Sequence, residues 1–202
     1  LVPVSTAVTE NSIETSHQES GKIVLLPEVS TSPSGKFMLH DSKAAAQVYI
    51  EQAVIYCEQK QWKDGIAACK EAIRICPDIG EAYKIWGNCL QKSGDIAGAI
   101  GIYAKALEVK PDMAEIYCNL GSIYAKKKNW QQAIEHYQKS SIIEPKNSVP
   151  YRNLARVWDE LGEYEKSTKC FFKALELDPT LLSAQNHFEL ANNLFKRWKP
   201  LF

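Results

Sequence analysis

Residues Gly80–Pro111 read GEAYKIWGNCLQKSGDIAGAIGIYAKALEVKP, and the fold follows from this stretch. Tyr83, Trp86, Gly87 and Leu90 recur at helical spacing, Gly94 interrupts them, and Ala99, Tyr103 and Ala106 resume before Pro111. Moved on by 34 residues, the pattern returns as Tyr117, Leu120, Gly121, Tyr124, Ala133, Tyr137, Ser140 and Pro145. It returns again as Tyr151, Leu154, Ala155, Trp158, Ser167, Phe171, Ala174 and Pro179. Backwards it gives Tyr49, Ala53, Tyr56, Gly65, Cys69, Ala72 and Pro77.

Each unit reads as two antiparallel helices joined by a tight turn. Small residues sit where the pair crosses: Ala53, Gly87, Gly121 and Ala155 on the first helix, Gly65, Ala99, Ala133 and Ser167 on the second. A larger side chain there would force a close-packed interior apart. The next helix of the stack packs on Ala72, Ala106, Ser140 and Ala174, and each proline closes its second helix because it lacks an N–H.

These residues resemble the tetratricopeptide repeat family over about residues 42–198. They are most similar to bacterial arrays found ahead of glycosyltransferase or methyltransferase domains, and no transferase domain is present here. The departures are Gln52 for the usual Leu, Gly65 for Ala, and Ser140 and Ser167 for Ala. The resemblance implies an all-α, right-handed superhelical solenoid of about four helix pairs plus a C-terminal helix. Units are expected over about 46–79, 80–113, 114–147 and 148–181, with a terminal helix over 181–198. Asp41 or Ser42 is expected to cap a first helix ending near Gln59. The other helices are expected over 63–76, 80–92, 96–109, 114–127, 130–143, 148–161 and 164–177.

Residues 1–40 differ from the rest. They are rich in Ser, Thr, Glu and Pro, have no period, and read as a low-complexity tail. Within them, residues 22–29 (KIVLLPEV) are apolar and β-prone, either a linker or a peptide that docks on its own or a neighbour's helical surface.

The chain of 202 residues carries 24 basic and 24 acidic side chains, a balance that argues against nucleic acid as a partner. No apolar run approaches the ~20 residues that span a membrane. The sequence begins at Leu1 rather than Met, so the lack of a signal peptide carries no information. The cysteines at 57, 69, 76, 89, 118 and 170 form no Cys-x-x-Cys and read as small fillers of a cytoplasmic, reducing environment, with Cys118 a candidate reactive groove thiol.

The sequence holds no phosphate loop, metal-ligand spacing or His-Glu-x-x-His, and His17, His40, His136 and His187 are isolated. No catalytic residue, cofactor or metal is expected. What remains is a surface. In the family the first helices of each pair line a concave groove that binds an extended peptide, so the expected partner is a protein or peptide. The aligned positions put Lys84, Asn88, Lys92, Asn119, Ser122, Lys126, Arg152, Asn153 and Arg156 in that groove, with Ile50 and Ile85 among its lining. Lys84, Asn88 and Asn119 are similar to half of the carboxylate clamp of chaperone-binding members, with Val149 and Asn153 where the clamp's later cations would stand. Asn119 and Asn153 resemble the asparagine ladder of transferase-linked arrays.

Two alternatives stay open. The terminal helix carries Phe188, Leu194, Phe195, Trp198 and Phe202, an apolar set expected to reflect a truncated end, self-association into a homo-oligomer, or a cap folding over it. The array could also be the targeting part of a larger transferase.

Overall fold

The computed structural model describes residues 37–182, with side chains over 42–181. The tail to residue 36 with its segment 22–29, and the terminal helix beyond Leu182 with Phe188, Leu194, Phe195, Trp198 and Phe202, lie outside the described residues.

The described residues form eight α-helices: α1 (Phe37–Glu58), α2 (Trp62–Ile75), α3 (Gly80–Ser93), α4 (Ile96–Val109), α5 (Ala114–Lys126), α6 (Trp130–Ile143), α7 (Ser148–Glu160) and α8 (Tyr164–Leu177). A 3₁₀ turn, Pro179–Leu182, follows where the terminal helix was expected to begin. Helices α1 and α2, α3 and α4, α5 and α6, and α7 and α8 pair, and α2 packs on α3 and α6 on α7. Helix α1 starts ahead of the expected Asp41–Ser42 cap. No proline or glycine lies between Gly35 and Ala44, and the helix runs straight through both capping residues.

The 34-residue period is written into the backbone as well as the side chains. Lys60, Gly94, Lys128 and Gly162 each close the first helix of a unit with positive φ, at 61°, 97°, 58° and 75°. This left-handed residue turns the chain back through two or three residues. Glycine accepts that conformation freely, and lysine does so against its Cβ. Asp95 and Asn129 then cap the second helices of the middle units, accepting from the N–H of Gly98 and Gln132.

The small-residue crossings are as tight as the sequence requires. A Cβ added at Gly121 would stand 2.7 Å from the Tyr137 ring, and one at Gly87 would meet the Tyr103 ring closer still. Ser167 replaces the usual Ala without an orphan, because its hydroxyl donates to the Ala155 carbonyl at 2.8 Å. Ser140 is different: its hydroxyl is buried and has no partner among the described residues.

The core forms three clusters, and each straddles a unit boundary. Ala72 of α2 gathers Ala82 and Cys89 of α3; Tyr103 and Ala106 of α4 gather Ile116, Leu120 and Ile123 of α5; Tyr137 of α6 gathers Leu154 and Val157 of α7. The cysteines depart from expectation in one respect. Cys57 of α1 and Cys89 of α3 are joined as a disulfide, their Cα atoms 6.3 Å apart, while Cys69, Cys76, Cys118 and Cys170 are free. Stacking of the units, not sequence spacing, brings the pair together. Gly65 of α2 lies beneath it: a Cβ there would stand 3.1 Å from one sulfur and 3.2 Å from the other.

Candidate functional site

Helices α1, α3, α5 and α7 are the first helices of the units; of the sequence-derived groove residues Ile50 falls on α1 and the rest on the other three. Their environments separate them into two groups.

The first group is already engaged inside the array. The Lys84 ammonium of α3 is an ion-pair partner of Glu81, 2.7 Å away on its own helix, and of Glu115, 2.8 Å away on α5. Burial works against the charge, but hydrogen bonds to Glu115 and Glu81 outweigh it and hold the ammonium above its ordinary pKa. Asn88, one turn on, accepts from the Tyr103 hydroxyl at 2.6 Å and from the Asn119 amide at 2.9 Å. Gln91 lies 2.8 Å from the same hydroxyl. A phenol has one proton, so the Asn88 and Gln91 oxygens share the Tyr103 hydroxyl as alternative acceptors. Ser122 donates to the Cys118 carbonyl and accepts from the Tyr137 hydroxyl at 3.1 Å. The Lys92 ammonium lies 5.9 Å from the centre of the Trp62 ring, a cation–π distance.

The structure joins Asn88 to Asn119, while the charge of Lys84 is met by the protein's own carboxylates. Lys84 is a strut between successive units. Ile50 and Ile85, expected to line the groove, are buried in the cluster of the first two units instead.

The second group is at the other end. Arg152 is half-buried and Arg156 exposed, one turn apart on α7, and neither forms an ion pair among the described residues. Lys126 of α5 is exposed and likewise unpaired among them. Asn153 donates to the Cys118 sulfur at 3.6 Å, a weak acceptor, as Asn119 donates to Asn88. Burial pushes the Cys118 thiol up, and this outweighs the Asn153 hydrogen bond and the Arg152 charge that favour the thiolate. Cys118 is a free, half-buried thiol of α5 held in its protonated form.

Tyr103 and Tyr137 read as fillers in the sequence, yet their hydroxyls hydrogen-bond polar side chains of the first helices. The signal was present. One position of the first helix reads Val54, Asn88, Ser122 and Arg156 through the four units; the facing position of the second helix reads Cys69, Tyr103, Tyr137 and Phe171. Where the second helix offers a phenol, the first offers a polar partner. In the fourth unit Phe171 has no hydroxyl to offer, and Arg156 takes the position.

Comparison with known proteins agrees with this fold. Sequence models of the tetratricopeptide repeat match residues 114–147 and 151–181, and a TPR-repeat model matches residues 87–128. No curated protein matches the chain. The crystal structure of MamA superposes with a TM-score of 0.61 at 23% identity, covering 73% of this chain and 86% of that one. PilF of Pseudomonas aeruginosa gives 0.65 at 19% identity, covering 77% and 76%. The MamA RS-1 ArsTM double mutant gives 0.59 at 19%, covering 77% and 93%. At such identities these likenesses show the fold: an all-helical array of tetratricopeptide repeats.

Proposed function

We propose that this tetratricopeptide-repeat array is a protein-recognition scaffold that holds an extended peptide along α5 and α7, with acidic side chains of the peptide meeting Arg152, Arg156 and Lys126. The observation that supports this most is the contrast between the two ends of the face. Lys84 and Lys92 are taken up by internal partners, whereas Arg152 and Arg156 are not.

A guanidinium facing water is suited to carboxylates, which it binds in a two-pronged geometry. Asn119 and Asn153 would take peptide backbone N–H groups on their amide oxygens. That makes backbone recognition largely independent of sequence and leaves selectivity to charge. The floor is fixed in advance by the Tyr103–Asn88–Asn119 and Tyr137–Ser122 hydrogen bonds, so the ordering cost falls mainly on the peptide.

The test is a hydrogen-exchange footprint of the intact chain with peptides selected on it from a random display library. Enrichment in Asp and Glu together with slowed exchange across α5 and α7 supports the reading. Slowed exchange confined to α6 and α8, or selected peptides without acidic residues, contradicts it.

A further inference from the structure

The disulfide between α1 and α3 stands where the repeat departs from itself three times over. Cys57 takes the position of Gln91, Ala125 and Asp159 in the later units. Cys89 takes that of Ile55, Ile123 and Val157 in the other three. Gly65 takes that of Ala99, Ala133 and Ser167. The structure brings these three departures to one point. A Cβ on Gly65 would crowd both sulfurs, at 3.1 Å and 3.2 Å, and the cross-link keeps either sulfur from swinging away. Glycine inside a helix costs stability against alanine, and here the missing methyl is the room that the sulfur pair occupies.

The first unit is also the one with the least packing of its own. Tyr103, Tyr137 and Phe171 are buried inside the later units, and at their place in the first stands the much smaller Cys69. Among the described residues α1 packs on α2 and α3. A unit of a solenoid is held by its internal packing and by its neighbours, so a unit with a weak interior depends on what ties it to the next. The Cys57–Cys89 bond is such a tie. It spans 32 residues, which include the whole of α2, and it restricts that length of chain whenever the first unit opens.

We propose that Cys57 and Cys89 form a reversible redox latch, which holds the first unit on the second when oxidised and lets α1 and α2 open when reduced. The reductant is a thiol, either a dithiol or a small monothiol. Its thiolate attacks Cys57, which is half-buried, because Cys89 is wholly buried. The Cys57–Cys89 bond breaks, a mixed disulfide forms on Cys57, and Cys89 leaves as a thiolate and takes up a proton. A second reductant thiolate attacks the reductant's own sulfur in the mixed disulfide, and Cys57 leaves and is protonated. Two reductant thiols become one disulfide, and two electrons and two protons end on the cysteine pair. Closing runs the same exchange backwards, with a low-molecular-weight disulfide as oxidant. The neighbouring Cys69 takes no part: it is buried, and burial pushes its thiol up to about 12, which keeps it protonated and unreactive. The latch lies on α1 and α3 and does not depend on peptide binding along α5 and α7.

The test is hydrogen exchange by mass spectrometry on the full chain, first oxidised with glutathione disulfide and then reduced with dithiothreitol, with a non-reducing peptide map of each state. The oxidised chain is expected to give a peptide linked through Cys57 and Cys89. Reduction is expected to speed exchange in α1 and α2 at least about thirtyfold, to change α5–α8 by less than about twofold, and to be reversed by renewed oxidation. The Cys57→Ala variant, which carries the residue of the third unit at a half-buried position, is expected to exchange at the fast rate with or without dithiothreitol. Absence of the linked peptide overturns the proposal, as does an exchange rate in α1 and α2 that reduction leaves unchanged or that oxidation does not restore. It is equally overturned if all helices loosen together, or if Cys57→Ala either stays as protected as the oxidised chain or still responds to dithiothreitol.

Discussion

Lys84 of α3 and Glu115 of α5 meet at 2.8 Å, across the boundary between two successive units. The Lys84 side chain is only 15% exposed, while Glu115 is 56% exposed and Glu81 completes the cluster. The contact fixes the register of one first helix against the next. A double-mutant cycle of Lys84→Met with Glu115→Gln is expected to give a coupling of about 0.5–1 kcal/mol in denaturant unfolding, the range for a pair with one solvated partner. A coupling of zero would remove Lys84 from the structure's supports.

The four left-handed turns allow a direct comparison of glycine and lysine in one setting. Replacing Lys128 by Gly is expected to raise stability by about 0.5–1 kcal/mol, because the positive φ no longer opposes a Cβ. Replacing Gly94 by Ala is expected to lower it by about 1 kcal/mol. A Cβ at Gly94 would meet nothing within 4 Å, so the effect is purely one of backbone conformation. Thermal unfolding of the two variants measures both signs.

Ser140 is a buried hydroxyl without a hydrogen bond at a position where the other three units carry Ala. Ser140→Ala removes that unpaired group and is expected to leave stability unchanged or raise it by up to about 1 kcal/mol. Ser167→Ala also removes a buried hydroxyl, but one bonded to Ala155, and is expected to cost up to about 1 kcal/mol. Chemical denaturation of the pair decides whether satisfaction, rather than residue type, sets the effect.

His136 of α6 stacks on Tyr124 of α5, ring centres 5.2 Å apart, and lies 6.1 Å from Tyr117. Its Nδ1 is buried without a partner. Burial lowers its pKa from 6.5, helped by the Lys139 charge and opposed by Glu135. The unfolded chain therefore binds a proton before the folded one. This stabilising contribution is complete above the unfolded pKa and is lost as pH falls through the folded one. The native chain is expected to lose more stability between about pH 7.5 and pH 5 than the His136→Phe variant, which carries no titrating group there. Equal losses in melts at the two pH values would contradict this.

The helices were legible because small residues, aromatic fillers and prolines recur at one period, and tertiary packing repeats with them. The exception is α1. Asp41 and Ser42 are good capping residues, yet the helix begins before them because nothing between Phe37 and His40 breaks it. Contacts between units were harder to read. Cys57 and Cys89, like Lys84 and Glu115, lie 31 or 32 residues apart, and whether they meet depends on side-chain reach across a packed boundary. Asn88 and Asn119, expected on successive first helices, are joined by a hydrogen bond. The hydrogen bonds of the Tyr103 and Tyr137 hydroxyls were readable only by comparing facing positions through all four units.

The most direct test of the groove reading is calorimetric titration of one selected acidic peptide into the native chain, the Lys84→Gln variant and the Arg152→Gln, Arg156→Gln variant. The account predicts that the double arginine variant binds at least about tenfold more weakly, about 1.4 kcal/mol, with a shallower salt dependence. Lys84→Gln is expected to bind as the native chain does. An affinity unchanged by the arginine substitutions, or lost with Lys84 alone, would contradict the account and return the ligand to the half-clamp of α3.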